Sequence, residues 1–337
     1  MIKFSELKTT HRHVLRDEIP LSKPYTLLIE PSSLCNFRCI MCFQSAKEQG
    51  SFRYKRSLMT MECFEKAVNQ ASKWPGEKFK VLKLCIYGEP FTNPNFLKML
   101  KLAKDSNIAE RIETTSNVSL LDERLCRGLV TNGLDYLRVS IYSAIPAKHK
   151  EITQSNVSQQ KIYDNLKLLK NIKKEMGVEY PFVAVKMIDT FSEENEIFKQ
   201  VYADVADELY LDQPHNWVQP RDDSFIDKLY VGKKMPLVKR ENKVSCPMPF
   251  TTLAVRSNGD VSPCCVDWYG GTTVGNIFEE SLEEIWQGEK LYNIQVLQLT
   301  NNREKNISCR NCEFYLNPEY SRDNIDGLSP ERLKANR

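Results

Sequence analysis

Short runs rich in β-branched and aromatic residues alternate with longer stretches whose apolar residues recur every three to four positions. The runs predict strands and the stretches predict helices. Six such repeats are typical of a parallel sheet or barrel covered by helices. Strands are predicted at 25–31, 80–87, 111–117, 136–142, 182–188 and 208–212, and helices at 61–73, 96–105, 122–130, 160–176 and 193–205.

Side chains within a strand alternate between two faces. In the second predicted strand, Leu82, Leu84 and Ile86 share one face, and Lys83 shares the other with Cys85 and Tyr87. If the apolar faces pack against helices, polar side chains collect inside the barrel. This set comprises Glu30, Lys83, Tyr87, Arg138, Ser140, Tyr142, Lys186 and Tyr210. Buried charges require partners or a ligand, so the pattern predicts a polar cavity suited to a hydroxylated, carboxylated or phosphorylated small molecule.

The alternation ends at residue 212, which divides the chain into predicted domains. Residues 25–212 form the barrel, and residues 213–245, rich in Pro, Asp and Lys, predict a linker. A cysteine-bearing segment at 246–315 predicts a second, small domain, and residues 316–337 a polar, mobile tail. Residues 1–24 predict a polar leader that lacks the apolar core of a secretory signal.

Composition narrows the class of protein. The chain has 337 residues, 41% of them hydrophobic and 27% charged, which is typical of a globular protein. A net charge of +3 is too small for the basic surface of a nucleic-acid-binding protein, and no apolar run reaches the roughly 18 residues of a membrane helix. We therefore expect a cytoplasmic protein with neither nucleic acid nor membrane as a partner. In that reducing compartment, its 11 cysteines are metal ligands or packed thiols rather than disulfides.

Three of these cysteines directly follow the first predicted strand. Cys35, Cys39 and Cys42 have Cys-x3-Cys-x2-Cys spacing, and ligands in parallel α/β folds bind at the carboxyl ends of strands. Three thiolates can hold an iron–sulfur cluster that keeps one iron open, whereas structural zinc requires a fourth ligand. Spacing alone leaves the cluster, half a zinc site and a chance grouping open.

Four more cysteines form two pairs in the second domain. Cys246 and Cys264 flank a predicted hairpin turn at 257–260, and Cys309 and Cys312 have Cys-x2-Cys spacing. By spacing, the four thiolates indicate either zinc or a 4Fe-4S cluster. Cys265 adjoins this set and is interpreted first as a packed thiol.

The cysteine triplet, together with Gly88, Glu89 and Pro90 after the second strand, resembles the radical S-adenosylmethionine (SAM) superfamily over residues 25–212. The resemblance implies a partial (β/α)6 barrel and a 4Fe-4S cluster on Cys35, Cys39 and Cys42 whose open iron binds SAM. It implies that Glu89 pairs with the SAM ammonium group, a charge-assisted contact. The remaining implied SAM contacts are Asn117 and Ser140 with the carboxylate and ribose, and Met41 with the adenine. Tyr87 departs from the family, which usually has glycine there.

Residues 246–312 resemble the truncated SPASM, or twitch, domain that carries an auxiliary cluster in many radical SAM enzymes. Gly275, Asn276 and Ile277, followed by Ile285 and Trp286, match its framework. The resemblance implies a second 4Fe-4S cluster held by Cys246, Cys264, Cys309 and Cys312, with zinc as the alternative. A cluster with all four irons ligated by cysteine is suited to electron transfer.

The resemblance therefore implies an enzyme that cleaves SAM reductively to a 5′-deoxyadenosyl radical, using an external one-electron donor such as flavodoxin or ferredoxin. An electron-accepting auxiliary cluster favours a dehydrogenase-type oxidoreductase acting on an aminocyclitol, sugar or nucleotide-sugar. The alternatives are an epimerase in which Cys265 returns a hydrogen atom, a peptide-modifying maturase, and a zinc-stapled binding protein without catalysis. Candidate catalytic residues are Cys265, Cys85, Tyr87 and Lys186.

Overall fold

The computed structural model of the chain describes residues 3–4, 14–45, 56–212, 243–267, 270–316 and 323–336. Within these ranges ten strands form one sheet. The strands are β1 (Lys3–Phe4), β2 (Thr26–Ile29), β3 (Phe79–Lys83), β4 (Ala109–Ser116), β5 (Tyr136–Ile141), β6 (Phe182–Ile188), β7 (Glu208–Asp212), β8 (Thr252–Val255), β9 (Asp260–Ser262) and β10 (Gly275–Asn276).

The six predicted strands, β2 to β7, lie side by side in chain order, and every neighbouring pair among them is parallel. Helices connect them, which is the α/β architecture of a partial (β/α)6 barrel. The helices are α1 (Leu15–Glu18), α2 (Met61–Lys73), α3 (Phe96–Asp105), α4 (Glu123–Thr131), α5 (Pro146–Thr153), α6 (Gln159–Glu175), α7 (Glu194–Tyr202), α8 (Met248–Thr251), α9 (Leu282–Gln287) and α10 (Glu289–Leu299).

The helices begin where polar side chains can accept the unpaired backbone N–H groups of the first turn. Thr60 caps α2 in this way, Asp122 caps α4 and Ser158 caps α6. The apolar strand faces then pack against the helices: Leu82 and Leu137 are both fully buried in the main core. The opposite strand faces are left to line the interior of the barrel.

Two predictions about individual elements were wrong. The second predicted strand extends to residue 87, but β3 ends at Lys83, because the backbone N–H of Tyr87 donates to the Glu30 carboxylate instead of to a neighbouring strand. Helix α5 was not predicted, since its sequence lacks regular apolar spacing; it nevertheless buries His149 and Ile152.

The cysteine-bearing C-terminal segment extends the barrel sheet. Strand β8 pairs in parallel with β2, with Leu253 opposite Leu27, and β9 and β10 add antiparallel strands beyond it. The predicted turn joins β8 to β9, and Gly259 there has a positive φ of 89°, which glycine adopts without strain. The sheet therefore runs without a break from the barrel into the C-terminal segment.

The two ends of the chain also pack together. Leu15, Ile19, Phe250, Ile325 and Leu333 form a second small core. Ile325 and Leu333 of this core come from the predicted polar tail at 316–337. Of the predicted linker 213–245, residues 213–242 lie outside the described residues.

Among the helices of the described residues, none has both the length and the apolar content required to cross a lipid bilayer.

Replacing Leu253 by alanine tests whether β8 is an integral part of the barrel sheet. The Leu253 side chain is fully buried, so the variant should lose about 2 to 5 kcal/mol of the free energy of unfolding. Leu120→Ala, at a side chain that is 38% exposed, is the matched control and should change stability by less than about 1 kcal/mol. Chemical denaturation followed by circular dichroism would measure the free energy of unfolding of both variants. Equal losses of stability would contradict the placement of β8 as an integral strand of the barrel sheet.

Candidate active site

The loop that carries Cys35, Cys39 and Cys42 is fixed by backbone hydrogen bonds to the end of α5. Arg38 N–H donates to the Thr153 carbonyl at 3.0 Å and Ile40 N–H to the Ile152 carbonyl at 2.8 Å. Between the cysteines, the Phe37 ring packs edge-on against His149, with centroids 6.2 Å apart. The loop conformation is thus set by the neighbouring helix.

The three thiols line one cavity of about 190 Å³ at the carboxyl ends of the strands. Burial is the main cause that raises the pKa of Cys35 to about 11, and the negative charges of nearby Glu89 and Cys42 contribute less. The pKa of Cys39 is raised for the same main reason and then by Cys42 and Cys35. Buried thiolates this close together repel one another, and a bound cationic centre would relieve the repulsion.

Gly88 forms a close approach between the β3 loop and the cysteine loop. A Cβ atom there would lie 2.4 Å from the carbonyl oxygens of Ser32 and Leu34, and the adjacent Glu89 N–H donates to the Leu34 carbonyl at 2.8 Å. Since both obstacles are backbone atoms, no side chain fits. Only glycine allows the two loops to close this wall of the cavity.

Glu89 is 3% exposed and lines the same cavity. Its carboxylate accepts hydrogen bonds from the Ser116 hydroxyl at 2.7 Å and from the Asn117 N–H at 2.8 Å. Burial nevertheless raises its pKa to about 7, because no cation offsets the lost hydration. A ligand ammonium group beside Glu89 would supply that cation.

The structure places most of the other predicted SAM contacts around this cavity. Met41, Asn117 and Ser140 all line it, as does Cys85. Pro90 does not; it starts a buried 3-10 turn (Pro90–Thr92) behind Glu89. Pro90 ends the loop that follows β3, because the fixed φ of proline suits the first position of the 3-10 helix.

A second cavity, of about 240 Å³, adjoins the first. Met41, Cys42, Tyr87 and Ser140 line both cavities. The residues specific to the second one include Lys186 and Asp212 from β6 and β7, and Cys265 from the C-terminal segment. The predicted catalytic residues Tyr87, Lys186 and Cys265 therefore come together here, whereas Cys85 lies at the first cavity.

Tyr87 connects the barrel to the C-terminal segment. Its hydroxyl donates to the Asp267 carbonyl at 2.5 Å, and its ring lies 4.1 Å from the guanidinium carbon of Arg256. Arg256 is fully buried and donates to the Cys264 carbonyl at 2.9 Å. Sequence reasoning missed Arg256, because a lone arginine after a strand carries no motif.

Charged side chains inside the barrel are mostly engaged with one another. Lys186 and Asp212 form an ion pair at 2.5 Å at the edge of the second cavity, and Lys83 faces Glu113 at 3.7 Å. Glu30 was expected to face the lumen, but its carboxylate is buried and accepts the N–H groups of Tyr87 and Ser257. Glu30 is therefore a structural acceptor.

The C-terminal thiols form a second group. Burial, and then the nearby Cys312, raises the pKa of Cys309 to about 12; burial and then Cys265, Cys312 and Cys246 keep the pKa of Cys264 well above its usual value. Burial also raises the pKa of Cys265, opposed by Lys83 and Arg256. The four predicted ligands are thus close enough to interact, and Cys265 lines the second cavity.

Two residues that the sequence did not indicate surround this second group. The Gln298 side chain accepts the Cys246 N–H at 3.2 Å and donates to the Cys309 sulfur at 3.7 Å. Arg303 donates to the carbonyls of Cys309 and Cys312, each at 2.6 Å. Gln298 thus links cysteines from two separate segments, and Arg303 fixes the backbone of the Cys309–Cys312 pair. Such contacts are the usual task of residues around a metal centre.

The donor sets fit iron–sulfur clusters. The first offers three thiols beside a cavity, and the second offers four interacting thiols. No three His, Cys, Asp or Glu side chains in the described part of the chain converge tightly enough to bind a single metal ion. The first set leaves room for a ligand on the open side next to Glu89 and Asn117.

Comparison with known proteins identifies the class. A model of the radical SAM superfamily matches residues 29–188, and a model of an iron–sulfur cluster-binding domain, SPASM, matches residues 246–313. The chain belongs to the radical SAM superfamily and carries a SPASM-type domain. It is a radical SAM enzyme whose cofactors are SAM, a 4Fe-4S cluster and an auxiliary iron–sulfur cluster.

Among curated proteins, a tungsten-containing aldehyde ferredoxin oxidoreductase cofactor-modifying protein of Pyrococcus furiosus is 25% identical over 78% of this chain and 81% of its own length. A SAM-dependent 2-deoxy-scyllo-inosamine dehydrogenase of Niallia circulans is 30% identical over 23% of this chain and 31% of its own length.

Among solved structures, BtrN in complex with AdoMet and 2-DOIA has a TM-score of 0.57 at 18% identity, covering 86% of this chain and 93% of that one. Streptococcus suis SuiB bound to the precursor peptide SuiA has a TM-score of 0.54 at 18% identity, covering 93% and 78%. At these identities the likeness establishes the fold.

Iron content tests the two thiol sets. Anaerobically reconstituted protein should hold about eight irons per chain, and Cys35→Ala and Cys309→Ala should each hold about four. Cys63→Ala, at a buried thiol on α2, is the control and should keep all of them. Two bound zinc ions in place of iron would contradict the assignment.

Gln298→Leu tests the hydrogen bond to the Cys309 sulfur. Its loss removes a donor that stabilises the more negative, reduced state, so the reduction potential of the auxiliary centre should become more negative. Gln295→Leu on the same helix, where the amide donates to the Pro249 carbonyl, is the matched control. Redox titration followed by electron paramagnetic resonance would measure both; equal potentials in the two variants would exclude the effect.

Proposed function

We propose that this protein is a radical SAM dehydrogenase that oxidises a carbinol carbon of a polar, hydroxylated small molecule such as an aminocyclitol, sugar or nucleotide-sugar. One observation carries the proposal. The 240 Å³ cavity is lined both by Cys42 of the first thiol set and by Cys265, which is next to Cys264 of the second set. A substrate there would lie between the two redox centres.

The cofactors would be held by the residues already described. The proposed ligands are Cys35, Cys39 and Cys42 at the barrel and Cys246, Cys264, Cys309 and Cys312 in the auxiliary domain, 246–315. When bound, these groups supply the hydrogen-atom acceptor and the electron acceptor of the oxidation. Glu89, with Asn117 and the backbone at Gly88, binds the amino acid portion of SAM; Ser140 and Met41 contact its nucleoside.

The chain itself provides for the proton. Oxidation of a carbinol removes one hydrogen atom from carbon, one proton from oxygen and one electron. The Asp212 carboxylate lines the cavity and forms an ion pair with the Lys186 ammonium at 2.5 Å. We assign the hydroxyl proton to Asp212 and the orientation of the hydroxyl to Lys186. Phe43 and Tyr87, whose rings pack edge-on with centroids 5.0 Å apart, exclude water from the same side.

Known relatives support the substrate class. One relative is named for dehydrogenation of 2-deoxy-scyllo-inosamine, and the fold is shared with BtrN, which was solved with 2-DOIA. A cavity of 240 Å³ is below the usual range for drug-sized ligands. Within the proposed class, this size favours an aminocyclitol or simple sugar over a nucleotide-sugar, and it disfavours a peptide such as the precursor bound to SuiB.

A second candidate function rests on Cys265. Its thiol lines the substrate cavity, where it could return a hydrogen atom to a substrate radical with inverted configuration. That would make the enzyme an epimerase, with no net loss of electrons from the substrate. Cys265→Ala distinguishes the two: a dehydrogenase retains its oxidised product, whereas an epimerase loses turnover.

Incubation of reduced protein with SAM and candidate substrates tests the proposal. With an external one-electron donor such as flavodoxin or ferredoxin, 5′-deoxyadenosine and an oxidised product should accumulate together. Cys35→Ala should abolish both, and Cys309→Ala should still release 5′-deoxyadenosine while losing the product. Liquid chromatography with mass spectrometry measures each. If Cys35→Ala still releases 5′-deoxyadenosine and Cys309→Ala still forms the product, the first thiol set is not responsible for SAM cleavage and the second is not responsible for electron acceptance.

A further inference from the structure

Helix α6 buries an asparagine among the apolar residues of its core face. Leu166 and Leu169 are buried on this face, and Asn165 lies beside them with a side chain that is 1% exposed. A buried amide requires hydrogen-bond partners, whereas an apolar side chain would fill the same space without that requirement. The partners of Asn165 therefore show what the amide does there.

Asn165 reaches from α6 to the turn that follows β4. Its Nδ2 atom donates to the Val118 carbonyl at 2.9 Å and to the Ser119 carbonyl at 3.2 Å. These two bonds use both N–H groups of the amide. They join α6 to the β4 turn (residues 116–119).

Val118 gives the β4 turn a strained backbone. Its φ is positive, at 51°, and a β-branched residue rarely adopts this left-handed conformation. Such strain persists only where the surrounding contacts over-determine it. Within the turn, the Val118 N–H donates to the Ser116 hydroxyl at 2.8 Å. From outside, Asn165 holds the Val118 carbonyl, so the strained conformation is fixed at both ends of the residue.

The β4 turn carries the groups that fix Glu89. The Ser116 hydroxyl donates to one oxygen of the Glu89 carboxylate, and the Asn117 N–H donates to the other. On its other side the turn meets the cysteine loop, where the Asn117 amide donates to the Asn36 side chain at 3.0 Å. A shift of the turn would therefore move the Glu89 carboxylate and the Asn117 side chain together.

We infer that Asn165 is a positioning residue for SAM, which holds the β4 turn in the strained conformation that orients Glu89 and Asn117. The inference rests on the proposed function, in which these two residues bind the amino acid portion of SAM. Asn165 lines neither of the two cavities, so it acts through the turn. Without its hydrogen bonds, relaxed conformations of the turn compete with the binding-competent one, and the apparent affinity for SAM falls in proportion.

Equilibrium dialysis of labelled SAM against the reconstituted, unreduced protein tests this inference. Asn165→Leu removes both hydrogen bonds at similar volume and should raise the dissociation constant of SAM about tenfold. The KM for SAM in 5′-deoxyadenosine formation should rise by a similar factor, whereas the rate at saturating SAM should stay within about twofold of the wild-type rate. Asn165→Asp has the same size but lacks the donating Nδ2. It should also weaken SAM binding, and it replaces the leucine variant if that variant does not fold.

Two further variants separate positioning from stability. Leu169→Ala, at a fully buried side chain one turn further along α6, should lower the melting temperature and leave the affinity for SAM unchanged. Val118→Gly relieves the backbone strain, because glycine adopts a positive φ freely. Adding Asn165→Leu to Val118→Gly should therefore weaken SAM binding less than Asn165→Leu does alone, which a double-mutant cycle measures.

Three results would overturn the inference: wild-type affinity for SAM in the variants of Asn165, an equal loss of affinity in Leu169→Ala, or strict additivity of the changes at 118 and 165. A wild-type protein that does not bind SAM would overturn both this inference and the proposed function. Failure of the proposed function alone would appear as SAM binding by the wild-type protein without formation of an oxidised product.

Discussion

A single buried carboxylate, that of Glu30, holds together the segments on which the site depends. It follows β2 and accepts the N–H of Tyr87, at the start of the loop that carries Gly88 and Glu89, and the N–H of Ser257, at the β8–β9 turn. Burial raises the pKa of Glu30, and the nearby Arg256 opposes this. Removing either donor would leave a buried acceptor with fewer partners, which costs more than the hydrogen bond itself contributes. Through these two hydrogen bonds, Glu30 couples the cysteine loop that follows β2 to the loop that carries Gly88 and Glu89 and to the C-terminal segment.

This coupling brings together the segments that line the second cavity. Parallel pairing of β8 with β2 brings the auxiliary segment to the same end of the sheet as the cysteine triplet. Tyr87 then spans the gap, with its ring against Arg256 and its hydroxyl on the Asp267 carbonyl. A glycine, usual at this position in the family, would provide neither contact. The departure from the family pattern at Tyr87 thus has a structural consequence: it ties the barrel wall to the auxiliary domain.

The parts of the fold that local patterns determine were predictable. The bounds of β6, β7, α2 and α3 matched because alternation and apolar spacing are properties of short windows. The partner of β8 was not predictable, since strand pairing between residues 27 and 253 depends on the whole sheet. The same applies to Arg256 and Gln298, which contact the site only because distant segments meet there. The cysteine triplet was found because its three members are close in sequence as well as in space.

Hydrogen bonds from neighbouring segments hold the thiols of both sets in place. The cysteine loop is fixed by its hydrogen bonds to Thr153 and Ile152, and the second set is fixed by Gln298 and Arg303. Burial raises the pKa of Cys35 to about 11 and that of Cys309 to about 12, so both thiols hold their protons near neutral pH until a ligated metal centre replaces them. A preformed site with neutral thiols avoids the repulsion of clustered thiolates, and cluster insertion then releases protons as the thiols become ligands.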